Sequence, residues 1–182
     1  MDYKNEAREF RPRDGRGGGA MAARLGMGDL SVPADRLEMG GRLIALAGVA
    51  VFLYGLLFLV IDFTSFTELG LSTGQVGGGA AAIHGFSPAL YNYISHLQVA
   101  LSGFLMAFAA QLTGLAWFGV RRGERWALWT AAGSASLAYL VAVPLHFVYG
   151  LATPIHLGPF GLVALVLIGG TWLASTGSRK PA

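Results

Sequence analysis

Side chains able to do acid–base or metal chemistry are scarce in this 182-residue chain. It has four histidines, His84, His96, His146 and His156, and no cysteine, and between Glu38 and Glu124 its only acids are Asp62 and Glu68. Imidazole beside carboxylate can ligate a transition metal, bind haem iron, or pass protons to a quinone or similar headgroup. A metal site drawn from these residues uses Asp62, His96, His146 and His156. A bis-imidazole haem instead sets His96 against His146, with Tyr139 on the His146 face as a further cofactor contact. The lack of thiols removes cysteine catalysis, Cys-ligated zinc and iron–sulfur clusters.

No HExxH, CxxCH or other spaced ligand motif selects among these chemistries. The same groups also suit a plainer role at helix ends, where polar residues are tolerated. There they would satisfy loop backbone and the carbonyl that Pro144 frees inside its helix. Ion or proton translocation is disfavoured, because the segment interiors offer only Tyr54, Gln111 and Tyr139. A hydrolytic triad through Ser95 or Ser102 lacks a nucleophile elbow. Gly77 to Gly79 is not a phosphate loop, since no Lys-Ser/Thr follows it. The run Arg121-Arg122-Gly123-Glu124-Arg125 could meet anionic lipid heads, but reads first as an orientation signal.

The elements that must position these groups follow from composition. Hydrophobic residues make up 54% and charged residues 13% of the chain, against about 25% charged in a soluble domain. This excludes a soluble globular enzyme, a disordered chain and a disulfide scaffold. A hydrocarbon core of about 30 Å takes roughly 20 helical residues to cross. Four stretches qualify, at about 43–61, 96–118, 126–148 and 157–174, and none has a Lys, Arg, Asp or Glu in its interior. Barrel strands would alternate apolar and polar residues, and these stretches do not. The expected fold is all-α, an integral membrane four-helix bundle with up-down-up-down topology over residues 41–176.

Basic residues set the orientation. All 13 Lys and Arg lie before the first span, between the second and third, or after the fourth; the other two loops hold none. The expected topology therefore places both termini and the arginine hairpin in the cytoplasm, and all four histidines on the outer side. Residues 1–40 mix charges of both signs with few large apolar residues and read as a disordered tail; residues 177–182 form a short second tail. Met21, Met27 and Met39 are alternative starts to Met1. Acids at Asp2, Glu6, Glu9 and Asp14 disfavour a mitochondrial transit peptide, and the first apolar run is too long for a cleaved signal.

Local signals refine this layout. Ser65 and Glu68 have capping-box spacing, so a short interfacial helix is expected there, while Gly77 to Ala82 carries no packing instruction of its own. Ser87-Pro88 reads as an N-cap with proline at the first helical position. Tyr91, Tyr93, Trp117, Trp126 and Trp129 suit the two interfaces. Pro144 predicts a kink, and the short link Tyr149 to Ile155 predicts that the third and fourth spans are antiparallel neighbours.

Helical phase predicts which way the polar groups point. From Asp62 one face runs back through Gly55, Gly48 and Gly41. From His96 it runs on through Ala100, Gly103, Ala107, Ala110 and Gly114, and from His146 back through Ala142, Tyr139, Ala135 and Ala132. Small residues mark close helix approach in membranes, so all three faces are expected to turn inward. His156 has no such clean face.

The hairpin Trp117-Phe118-Gly119-Val120-Arg121-Arg122-Gly123-Glu124-Arg125-Trp126-Ala127 and the segment Leu145-His146-Phe147-Val148-Tyr149-Gly150 with His156-Leu157-Gly158-Pro159 resemble uncharacterised four-span bacterial membrane proteins, DoxX-like in general layout. The resemblance covers about residues 40–175. It implies the four-helix layout and a bacterial inner-membrane location, and it carries no activity. The functional expectation is an accessory or partner-binding membrane component, not an enzyme, with an outward-facing polar ligand pocket. The alternative is a redox protein holding haem b, a quinone or a metal through its outer histidines. The expected partners are the lipid bilayer and a membrane protein or second copy of the chain, with no nucleic acid.

Overall fold

The structure is a computed structural model that describes residues 34–177. Most of the expected N-terminal tail, and the chain from residue 178 onward, lie outside the described residues. Helix α1 spans Ala34–Thr64, α2 Ala80–Phe86, α3 Pro88–Gly114, α4 Arg125–Val148 and α5 Pro154–Thr176. The α3 helix continues through a π turn at Leu115–Gly119 and a 3-10 turn at Val120–Arg122. Four of these segments, Arg36–Thr64, Pro88–Arg122, Arg125–Val148 and Pro154–Thr176, are long and apolar enough to cross a membrane. Among the described residues there is no β-strand. Large apolar side chains such as Leu53, Phe104, Leu140, Leu165 and Trp172 point outward, as lipid contact requires.

The helix ends follow local chemistry. Ser87 Oγ accepts from the Leu90 N–H at 3.2 Å and Pro88 opens α3, as its sequence predicts. Gly123, with φ +79°, closes the α3 extension in a Schellman motif: its N–H bonds to the Val120 carbonyl and the Glu124 N–H to the Gly119 carbonyl. Two expectations change. The Ser65–Glu68 spacing starts no helix, because Phe66 adopts φ +63° and breaks the helical path. The short helix instead uses the Gly/Ala tract, at Ala80–Phe86. The first span is also longer than 43–61, so Arg36 and Glu38 sit on α1 rather than in a tail, with Arg42 on the same helix. There Glu38 accepts from Arg42 at 2.6 Å and from Arg121 at 3.1 Å, and the Arg121 guanidinium lies 4.0 Å from the Trp117 ring centroid.

Packing centres on α1. A Cβ added to Gly41, Gly48 or Gly55 would press on Arg121, Thr113 and Met106 respectively. The fourth member of that seven-residue series, Asp62, accepts a hydrogen bond from Ser95. Partner numbers on α3 thus fall as numbers on α1 rise, and the glycine face is a continuous seam. On the other flank, a Cβ on Gly40 would lie 2.5 Å from the Ala174 nitrogen and 2.6 Å from the Gly170 carbonyl oxygen of α5, and Tyr54 meets Phe160 edge-on at 4.9 Å.

The buried face of α3 differs from the expected one. Gly103, Ala107 and Ala110 are exposed, and nothing lies within 4 Å of a Cβ at Gly103 or Gly114. The face that packs carries Ser102, Ala109 and Leu112, one residue round from the His96 stripe. Lipid tails are as apolar as alanine, so small size alone does not choose between two faces; the face bearing Ser95 and Gln98 is buried because these side chains find partners on the chain leaving α1, whereas Ser102 and Thr113 bond back to carbonyls of their own helix.

Helix α4 is held mainly by its first half, where Ala127, Leu128, Ala131 and Ala135 are buried. Beyond that, Leu137, Leu140, Val141, Phe147 and Val148 are exposed. The short link to α5 does connect the two helices, but they touch along few residues. A cavity of about 430 Å³, lined by Ala131, Ala135, Tyr139, Leu167 and Trp172 among others, separates them. Pro144 lies inside α4 without ending it.

Candidate functional site

The site forms where the segment after α1 crosses the start of α5. Thr153 and Pro154 cap α5 in the same way that Ser87 and Pro88 cap α3: Thr153 Oγ1 accepts from the His156 N–H at 3.1 Å. That hydroxyl also donates to the Gly70 carbonyl at 2.8 Å. Gly70 has φ +81°, and a Cβ there would lie 2.6 Å from the His156 nitrogen, so only glycine lets the crossing strand come this close. The neighbouring Leu69 carbonyl accepts from His156 Nδ1 at 2.9 Å. Three consecutive residues, Glu68, Leu69 and Gly70, therefore lock onto the first turn of α5.

This crossing fixes the chemistry of His156, which is 2% exposed. A carbonyl oxygen only accepts, so Nδ1 carries a proton and Nε2 is the ring nitrogen turned toward Glu68. Nε2 lies 3.5 Å from Glu68 Oε2 and has no hydrogen-bond partner among the described residues. His146 is oriented by the same device, with Nδ1 bonded to the Ala142 carbonyl at 2.8 Å, which leaves its Nε2 outside that bond. The two imidazoles pack at 5.0 Å between centroids, tilted by 38°. Burial pushes the Glu68 carboxyl above the usual carboxylate range, while His156 and then His146 pull it back down. A carboxyl that holds its proton more readily, set against two backbone-oriented imidazoles, is suited to hydrogen-bonding and proton exchange with a bound group.

An apolar cavity of about 420 Å³ is lined by Tyr54, Leu57, Leu69, Tyr139, Phe160 and Val163 among others; Glu68, His146 and His156 are not in its lining, and Leu69 and Phe160 connect it to them. Phe160 joins cavity to cluster, its ring centroid 6.4 Å from that of His146 and 6.3 Å from that of His156. The Tyr139 hydroxyl donates to the Phe160 carbonyl at 2.8 Å, tying α4 to α5 at this level.

The residues expected at a shared site are thus divided. His146 and His156 come together, with Tyr139 and Phe160 nearby. His96 is exposed on α3, because the opposite face of that helix is buried, so it forms no haem pair with His146. The two rings that do meet pack against each other and leave no room for a macrocycle between them. Asp62 is buried, but its partner is Ser95. Among the described residues no three His, Asp or Glu groups are placed to hold a metal ion, so the set Asp62, His96, His146 and His156 is not assembled. His84 is exposed and touches Tyr91 edge-on at 5.4 Å. Glu68 is the member that the sequence pattern does not single out: the Thr153-Pro154 cap marks where α5 begins, but the crossing that brings Glu68 to His156 rests on contacts distant in sequence.

Comparison of the chain with protein-family models, with curated proteins and with solved structures found no match, so the DoxX-like layout assigns it to no family.

Proposed function

We propose that this chain is a small multi-pass component of the bacterial inner membrane, an accessory or partner-binding protein that holds a lipid-soluble ligand with a hydrogen-bonding headgroup at its outer face. The observation that carries the reading is the junction of the Glu68–His156–His146 cluster with the apolar cavity across Phe160 and Leu69. The head of such a ligand would lie at Leu69 and Phe160, next to the His146 and His156 rings and the Glu68 carboxyl, and its body would meet Tyr54, Leu57 and Val163. Polar groups placed at one end of an apolar cavity are the usual form of a small-molecule site. The 13-to-0 segregation of basic residues supports an up-down-up-down bundle with both termini inside, which puts this site outside.

A redox role is the second reading, favoured by the proton-exchanging groups, and a quinone belongs to the ligand class just described. The test is extraction and mass analysis of what copurifies from native membranes. A lipid-soluble molecule near one per chain, lost from His146→Ala and His156→Asn variants that unfold like wild type, supports the proposal. An empty extract, or one unchanged by both variants, overturns it.

A further inference from the structure

A second polar cluster lies where α1 ends along the α1–α3 seam, and its donors and acceptors do not balance. Asp62 is 3% exposed. Its Oδ2 accepts from Ser95 Oγ at 2.8 Å, whereas Oδ1 is buried and meets no donor among the described residues. One turn along α3, Gln98 donates from Nε2 to the Phe66 carbonyl at 3.4 Å. That bond orients the amide, since the carbonyl can receive only an N–H. Gln98 Oε1 is then the second buried oxygen with no donor. Ser95 and Gln98 are three apart and share a helix face, while Asp62 and Phe66 stand four apart where α1 ends. The four residues bring a carboxylate, a hydroxyl, an amide oxygen and a main-chain carbonyl to the same end of the α1–α3 seam, through two neighbouring hydrogen bonds.

Both orphaned atoms are acceptors, and buried acceptors are seldom left unmatched. No Lys, Arg or His among the described residues forms an ion pair with Asp62, and an uncompensated buried carboxylate is strongly disfavoured. Oxygen atoms alone, with no imidazole or thiolate among them, are the ligand set of hard cations. One carboxylate balances one positive charge. A divalent ion would leave the pocket charged in a low-dielectric setting.

We infer that Asp62, Ser95, Gln98 and the Phe66 carbonyl bind a monovalent alkali cation of the sodium class, which fastens the chain leaving α1 to helix α3. This site is independent of the Glu68 cluster and of any ligand held there. A cation that binds only the folded chain raises stability by mass action.

The test is thermal unfolding of the purified full chain in detergent, with NaCl exchanged for choline chloride at constant ionic strength. The expected result is a saturable rise in Tm of a few degrees with sodium that Asp62→Asn abolishes and Gln98→Met weakens. Should Asp62→Asn fail to fold, sodium-23 linewidths measured on wild type and on Gln98→Met decide, with exchange broadening expected in the first and reduced in the second. Equal Tm in sodium and choline, with no broadening, overturns the site and leaves water as the donor. A sodium-indifferent Tm that shifts with pH and loses that shift in Asp62→Asn also overturns it, in favour of a proton on the carboxylate.

Discussion

The two flanks of α1 and the α4–α5 pair solve the problem of helix association in opposite ways. Along α1, a single carbon added at Gly40, Gly41 or Gly48 would overlap a neighbour, and one at Gly55 would be tight against Met106 and Leu105. Between α4 and α5 the helices stand apart over a cavity of about 430 Å³, joined by the Tyr139–Phe160 hydrogen bond and a short link. In lipid, where burial of apolar groups between helices gains little, van der Waals packing must hold a seam together, and it does so only where surfaces fit. Stability is therefore concentrated on the close approaches along α1, while the α4–α5 pair keeps open space between its helices.

The sharpest way to break this contrast is to place the same methyl group on both sides of it. Gly40→Ala drives a Cβ into the Ala174 nitrogen and Gly170 carbonyl, backbone atoms that cannot swing away. We expect a loss of about 3 kcal/mol, the upper end for overpacking. Gly169→Ala on α5 meets nothing within 4 Å. Its effect should be within about 1 kcal/mol and stabilising in sign, because alanine is the better helix former. Chemical or thermal unfolding in detergent measures both. Equal losses would mean that the α1–α5 approach carries no special share of stability.

The same contrast explains what could be read from the chain before its structure. The seven-residue glycine series ending at Asp62 marked the inward face of α1, because a close approach gives glycine at that spacing a purpose; that α3 is the partner comes from the structure. The partner face on α3 was not legible in the same way. His96 with Ala100, Gly103, Ala107 and Ala110 is as small as the face that packs, and the choice fell to Ser95 and Gln98, whose partners Asp62 and Phe66 lie more than thirty residues away. His146 was legible as an inward group through its alanine and tyrosine neighbours. Glu68 was not, because its role depends on a loop crossing fixed by Gly70 and Thr153, and long-range loop contacts leave no periodic trace.

The next effect in size concerns the ring that anchors the crossing. His156→Ala removes the donor to the Leu69 carbonyl and leaves a cavity beside Phe160. A loss of about 2 kcal/mol is expected from the orphaned carbonyl and the missing volume together. His156→Asn, whose side-chain N–H can stand in for Nδ1, should recover most of that stability while removing Nε2 from the site. If the asparagine variant is as unstable as the alanine one, the Leu69 bond is not what holds the loop, and His156 serves packing alone.

The smallest expected effect probes the open region through its carboxyl. Burial raises the Glu68 carboxyl above its ordinary value in the folded chain, against the opposing pull of His156 and His146. An acid whose folded value is raised binds its proton more tightly folded than unfolded. Its contribution to stability is then complete below the ordinary carboxylate value and is lost as pH rises through the raised one. Wild type should therefore gain Tm relative to Glu68→Gln as pH falls from neutral through the acid range. Partial exposure and two nearby imidazoles keep the difference below about 1 kcal/mol. A Tm gap that stays constant across that range would place Glu68 in ordinary solvent, and the junction between polar cluster and cavity would lose its proton-exchanging member. A gap that narrows on addition of an extracted lipid-soluble ligand would tie the same carboxyl to the headgroup, since a hydrogen-bonded partner offsets the burial that raised it.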